Sequence, residues 1–377
     1  MIPSWLIPIL GAVYKKVPPP LRPPLTRAFK WTMLRLEAIT TRRSIERSRR
    51  VQYLDFEIAH LEPFEFLGPG PREVLVDAVA SCVSPGTERA VLMGLPGARR
   101  PFPYVPGYSM VGTVAGAGAQ VQHVARGDLV AGRMPHAARG LMNGATCFKV
   151  PPGVAPDQAS MIELGIITLQ GIRKAGIRPG DRVAVVGMGL IGQLAARLAR
   201  LVGAEPIVAV ASSRRRAGPA LASGGVDEFV SLSTDASRLT TIQADVVIEA
   251  VGSAAAITGA MAAARPGGTV VLLGSSRDLG RDLDWWTLAQ ERNLTLVGAH
   301  ISDMPGADSS AGRWTYVDEG RLFLDLLASG ALDLGDLITW RPAPEDCNEV
   351  YEILAEGGRD QVGIVFQWAN QPAIATP

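Results

Sequence analysis

Apolar residues recur along this chain in two rhythms. Between Val51 and about Lys149 they come in short runs, "REVLVDAVAS", "SMVGTVAGAG" and "RGDLVAGRM", parted by Gly, Pro and Asp. Short apolar runs bounded by turn residues predict β-strands, and this region reads as a compact all-β unit. From "DQASMIELGIITLQGIRKAGI" onward, helical spacing alternates with buried runs: "RVAVVG", "PIVAVA", "EFVSL", "ADVVIEAVG", "GGTVVLLG" and "LTLVGAH". Helices alternating with strands predict parallel βαβ units and a doubly wound α/β sheet. After about Asp303 the pattern is mixed. "GRLFLDLLASG" and "RPAPEDCNEVYEILAEG" read as helices, and "QVGIVFQW" as a closing strand.

The first fifty residues follow neither rhythm. They carry eleven Lys and Arg against two Glu, while the remainder holds 26 basic and 34 acidic side chains. The apolar start is short, broken by Pro3 and Pro8, and precedes its positive charges, which argues against a secretory signal. A Pro cluster at 18–24 reads as a linker. The stretch from Leu25 to Arg47, with Phe29, Met33, Leu34 and Leu36 among basic residues, predicts a helix. Such a segment, residues 1–48, can lie on an anionic membrane surface, or dock on the protein itself or a partner subunit. Both readings stand.

Composition adds bounds. The 377 residues suffice for two or three domains, and a net charge of +1 supplies no global field to recruit nucleic acid. No apolar run approaches the ~20 residues of a membrane-spanning helix. Cys82, Cys147 and Cys347 are far apart and form no CxxC, which argues against a disulfide framework or a Cys-based zinc site. A reducing cytosol suits them, with peripheral membrane attachment if the arm binds lipid.

The sharpest motif is Gly187, Gly189 and Gly192, a G-x-G-x-x-G between the run "RVAVV" and the helix opened by Leu190 and Ile191. In a dinucleotide site the first glycine makes the turn and the second lets the pyrophosphate approach. The third lets helix and strand pack, and the helix N-terminus faces the phosphates. The next run, "PIVAVA", ends on Ala211, Ser212, Ser213, Arg214, Arg215 and Arg216. An NAD-selective site places an acid there. Hydroxyls and a guanidinium fork suit a 2′-phosphate instead, so NADP(H) is the expected cofactor, with Ser212 and Arg214 on the phosphate.

Taken together, "REVLVDAVASCVSPGTE", "PYVPGYSMVGTVAGAG", "ARGDLVAGR", "GIRPGDRVAVVGMGLIG", "ADVVIEAVG", "RPGGTVVLLG" and "LITWRPAPED" resemble the medium-chain dehydrogenase/reductase superfamily over roughly residues 51–377. "SPGTER" and "CFKVPPGV" with "LGIITLQGIRKAGI" look like a zinc-free branch found beside sugar-modifying enzymes, and resemble the bacteriochlorophyllide hydroxyethyl dehydrogenases. The resemblance implies a Rossmann domain, residues 173–304, inserted in a GroES-like β-rich catalytic domain, residues 51–172 and 305–377, behind a basic extension, residues 1–50. It further implies a cleft site and a homodimer built through the Rossmann sheet. Val251, Gly252, Gly274, Ser275 and Thr168 would line the cofactor.

Zinc-dependent relatives carry a Cys, a His-Glu pair and a later Cys, Asp or Glu. Here those positions hold Ser84, Tyr108-Ser109 and Glu163, a poor tetrahedral donor set, so no metal is expected. Tyr108 becomes the leading proton donor or substrate-orienting group, with filling of the vacated hole as the alternative. Glu163 is either an acid-base group or a structural carboxylate, and Ser84 and Thr87 either bind substrate or turn backbone. Glu88 is expected to pair with Arg89 or another arginine. His136 and His300 are further candidates near the cleft, and Trp285, Trp286 and Trp314 border it. The expected activity is zinc-independent, NADP(H)-linked hydride transfer to a carbonyl or conjugated C=C of a small molecule. Oxidation of a sugar- or tetrapyrrole-like hydroxyl is the alternative. A non-catalytic NADPH-binding adaptor is the reading from another class.

Overall fold

Helix α1 (Arg22–Thr41) lies against an antiparallel hairpin of β1 (Ile45–Asp55) and β2 (Ile58–Leu67), tied to it by an Arg35–Glu65 ion pair of 3.6 Å. The computed structural model describes residues 22–275, 284–358 and 360–368, with the side chains of 22–28 and 219 outside that description. The helix expected to reach Arg47 stops at Thr41. The hydroxyls of Thr40 and Thr41 fold back onto helix carbonyls, and Arg42 takes a left-handed φ of 53°. Residues 45–50 then become strand because β2 pairs with them and because Ser48, Val51 and Tyr53 point inward. Strand β1 therefore runs across residue 50. Trp31, Leu36 and Ile39 of α1 face solvent.

The β unit follows. Strands β3 (Glu73–Cys82), β4 (Met110–Ala117), β5 (Leu129–Gly132), β6 (Arg139–Asn143) and β7 (Phe148–Lys149) build one sheet with two late strands, β14 (Ile338–Trp340) and β15 (Gly363–Gln367). The order is β14-β15-β3-β4-β5-β7, with β6 on β3. Val365 pairs with Cys82, so the end of the described chain completes a sheet begun near residue 73. One helix interrupts it, α2 (Pro85–Leu92), with Pro85 at its first position, where the missing N–H costs nothing.

Between those halves lies the α/β unit. Strands β8 (Val183–Val186), β9 (Ile207–Ala211), β10 (Glu228–Ser231), β11 (Ala244–Glu249), β12 (Ala264–Leu272) and β13 (Thr295–Gly298) form a parallel sheet ordered β10-β9-β8-β11-β12-β13. By sequence rank that is 3-2-1-4-5-6, whose direction reverses between β8 and β11. A dinucleotide binds beyond the carboxyl ends of the strands at that reversal. The fold is a Rossmann-type domain set in a GroES-like β domain, as the sequence indicates.

Helix α3 (Ile162–Ala175) connects the two units. It packs on α4 (Leu190–Leu201), which follows β8, and on α6 (Tyr316–Ala328), which leads back to the β unit. It ends on Gly176, whose φ of 63° is a left-handed C-cap conformation that glycine adopts without strain. Between them, helix α5 (Ala254–Ala263) covers β11 and β12, and α7 (Cys347–Ala355) packs on β2 and α2.

Candidate active site

The glycine loop has the geometry its three positions require. Gly187 has φ of +100°, and a β-carbon on it would lie 2.5 Å from Val251 Cγ2. On Gly192 a β-carbon would lie 1.7 Å from the Gly187 carbonyl oxygen, so this residue sets the contact of α4 with β8. Gly189 caps α4 and is open: the nearest atom to a β-carbon there is Arg216 Nη1 at 3.7 Å. The open glycine is the one a pyrophosphate must approach. Leu190 is buried and Ile191 half-buried in the first turn of α4.

Opposite this loop, the end of β11 is held by a carboxylate that sequence reasoning passed over. Glu249, 0% exposed, accepts from the backbone N–H groups of Val251 (2.7 Å) and Gly252 (2.8 Å) through Oε1. Its Oε2 has no partner among the described residues, and a β-carbon on Gly274 would lie 2.8 Å from it. Burial pushes its pKa up, against the pull of the two N–H groups. Glu249 thus fixes the segments of Val251, Gly252, Gly274 and Ser275 relative to one another. Val251 stays half exposed beside the glycine loop, and Ser275 is exposed.

After β9, Ser212, Ser213 and Arg214 are exposed, and the Arg214 guanidinium stands 5.7 Å from the ring of Phe229. Its neighbours are engaged: Arg216 donates to Gln361 O (2.9 Å) and Arg215 faces Asp360 at 3.7 Å. Those two arginines tie the α/β unit to the approach to β15.

A polar cluster forms where β4, β5, α3 and α6 meet. The Tyr108 hydroxyl donates to Ser84 Oγ at 2.7 Å. Burial pushes the Tyr108 phenol up to about 12, although hydrogen bonds to Ser84 and Thr87 pull the other way. Ser109 Oγ donates to Ser160 O (2.6 Å) and accepts from Glu163 N (3.1 Å), which pins the start of α3 to the Tyr108 loop. Glu163 is 0% exposed. Arg133, just after β5, places Nη2 at 2.6 Å and Nε at 3.2 Å from its Oε2, and the Tyr316 hydroxyl donates to Oε1. Burial raises the Glu163 pKa, opposed by Arg133. Neither Arg133 nor Tyr316 stood out in the sequence. An arginine after a strand and a tyrosine opening a helix carry no signal until the fold joins them.

Other expected residues sit elsewhere. His136 is 0% exposed, with Nδ1 on Ser81 Oγ (2.7 Å) and Nε2 on Glu88 (3.1 Å). Both ring nitrogens are taken inside the β unit, so its role is structural. Glu88 is not paired with Arg89 or another arginine as expected. It accepts from Ser84 N (2.8 Å) and Tyr351 O–H (2.5 Å) and faces His136, while Arg89 donates to Ala355 O. Buried phenol, imidazole and backbone donors satisfy it where no guanidinium reaches. Thr168 is buried and donates back to Leu164 O at 2.8 Å, which removes its hydroxyl from a cofactor contact. His300 is exposed and bonds Ser302. Trp285 and Trp286 are exposed, and Trp314 lies under Arg173 at 3.6 Å.

Comparison with known proteins places these features in context. Residues 70–154 match the alcohol dehydrogenase GroES-like domain, and residues 191–311 match the domain described as zinc-binding dehydrogenase. The chain is similar to D-guloside 3-dehydrogenase of Escherichia coli (strain K12), 29% identical over 63% of this chain and 71% of that one. It is also similar to L-idonate 5-dehydrogenase of Vitis vinifera, 30% identical over 56% and 57%. Among solved structures, a zinc-binding dehydrogenase from Sinorhizobium meliloti 1021 bound to NADP superposes with a TM-score of 0.72 at 22% identity, covering 85% of this chain and 99% of the other. At that identity the superposition speaks for the fold.

Proposed function

Starting from a chain that belongs to the medium-chain dehydrogenase/reductase superfamily, we propose a zinc-independent, NADP(H)-linked oxidoreductase that acts on a carbonyl or alcohol of a small molecule. The names of the relatives favour hydroxyl-rich substrates of the sugar or polyol kind.

Residues for a dinucleotide are in place: the open turn at Gly189, the first turn of α4, and the Val251–Gly252 segment held by Glu249. Ser212 and Arg214 would take a 2′-phosphate, since both are exposed at the end of β9 and no acid stands between them. When bound, the nicotinamide supplies a hydride or accepts one. Zinc does not fit the donors present. Ser84 is a hydroxyl engaged by Tyr108, and both oxygens of Glu163 are occupied by Arg133 and Tyr316, whereas zinc takes thiolate, imidazole or free carboxylate.

The observation that carries the reading is the Tyr108–Ser84 pair. A phenol held protonated by burial can deliver a proton to an oxygen that gains negative charge. Glu163 positions α3 and Arg133 and is not a free base. This arrangement supplies a proton donor for reduction. The resemblance also leads us to place a homodimer contact at β13, an edge strand of the parallel sheet.

Titrating NADPH and NADH into the purified protein, with Arg214→Ala alongside, tests the reading. We expect NADPH to bind more than tenfold tighter than NADH, and the variant to lose most of that preference. Equal affinities would remove the NADP assignment. Binding of neither would overturn the oxidoreductase reading.

A further inference from the structure

Arg133 holds Glu163 through a single carboxylate oxygen, as Arg341 holds Asp157, but here the carboxylate is fully buried. Arg173 on Glu319, Arg197 on Asp336 and Arg139 on Asp77 each use the guanidinium fork, one N–H per carboxylate oxygen. That geometry satisfies both partners. Arg133 instead puts Nε and Nη2 on a single oxygen, Oε2, and leaves the other to Tyr316. Its Nη1 has no bond to protein among the described residues. The side chain is 56% exposed although the carboxylate that anchors it is 0% exposed. The guanidinium carbon lies 6.0 Å from the centroid of the Tyr108 ring, whose hydroxyl donates to Ser84, so this fixed cation stands next to the Tyr108–Ser84 pair.

A cation anchored on one edge and open on the other is arranged to receive an oxyanion without reorganising. A guanidinium does this permanently charged. We propose that Arg133 is a substrate-binding catalytic residue whose Nη1 receives the substrate's reacting oxygen, in the role that a zinc ion has in metal-dependent enzymes. The choice of the reacting oxygen rests on the hydride-transfer reading above; the oxyanion seat stands without it. In reduction, the chain's share is to hold the developing alkoxide on Arg133 and to transfer one proton to it from the Tyr108 hydroxyl. The phenolate that remains regains its proton from water. Glu163 and Tyr316 are positioning residues that keep the guanidinium aimed.

Two titrations on the full-length protein test this. Oxalate, followed calorimetrically without nucleotide, reads the seat: saturable binding is expected, weakened at least tenfold in Arg133→Met and less in Arg133→Lys. Because Arg133→Met leaves a buried carboxylate unpaired, the double variant Arg133→Met/Glu163→Gln serves as a second probe, with the same loss expected. No saturable oxalate binding by the wild type, or undiminished binding in these variants, overturns the proposal. Isobutyramide, an uncharged carbonyl, is then titrated with NADPH present. Loss of its binding in the variants, with NADPH affinity kept, supports a seat for the reacting oxygen; retained binding overturns that role. Oxalate held through Arg133 by a protein that does not bind NADPH supports an anion seat and overturns its assignment to a reacting oxygen.

Discussion

At the residue scale, two glycines of one motif have opposite demands. Gly192 has no room, since its β-carbon would enter the Gly187 carbonyl, so Gly192→Ala should destabilise the protein by on the order of 3 kcal/mol. Gly189 has room and an ordinary φ of −79°. Gly189→Ala should therefore melt like the wild type yet bind NADPH at least tenfold more weakly. Similar melting losses in both would show that the loop is closed at Gly189. Glu249 offers a pH test. Burial raises its pKa above the usual ~4.3, so the folded state binds this proton more tightly than the unfolded chain. Below that value both states are protonated and no cost arises. As pH climbs toward the raised value, the wild type loses stability. Glu249→Gln carries no such proton, so its melting temperature should gain on the wild type from about pH 4 upward. A gap that does not change with pH would show an unperturbed carboxyl.

At the scale of elements, the basic arm ends in a helix, and the chain then enters a strand. Ser48 Oγ accepts from Arg139 N at 2.8 Å, and residues 45–50 pair with 62–67. Deleting residues 1–41 removes α1 and spares these bonds, so melting should shift by only a few degrees. Deleting residues 1–50 strips half of β1 and should lower melting much further. Equal shifts would mean that α1, not β1, holds the hairpin. The shorter deletion also separates the two readings of the arm. Flotation with vesicles containing phosphatidylserine should lose the truncated protein if the arm meets lipid, and should not distinguish the two if it docks on protein.

At the scale of the whole molecule, α3 and α6 are clamped by Arg173 and Glu319, at 2.7 and 3.0 Å, with Trp314 stacked on the guanidinium. Glu319 is fully buried, so Arg173→Met should cost about 3–5 kcal/mol by leaving its charge unpaired. Adding Glu319→Gln should restore part of that loss. Thermal melts of the single and double variants give the comparison, and additive losses would deny the coupling.

Much of this was legible in the chain. Short apolar runs and the switch to βαβ alternation determine both sheets, because strand and helix periods are local properties of the residues. The glycine loop is legible for the same reason: turn, approach and packing each need a missing β-carbon at a set spacing. The end of the basic helix was not legible, because β2, from 58–67, decides that residues 45–50 are strand. Nor were the partners in the polar cluster. Arg133, Glu163 and Tyr316 are up to 183 positions apart from one another in no sequence pattern, and Glu88 takes His136 and Tyr351 in place of an arginine. Hydrogen bonds between distant side chains depend on how the sheets and α3 pack. Residue types and spacing therefore determined the fold and the dinucleotide loop, and only tertiary packing decided which charges meet in the site.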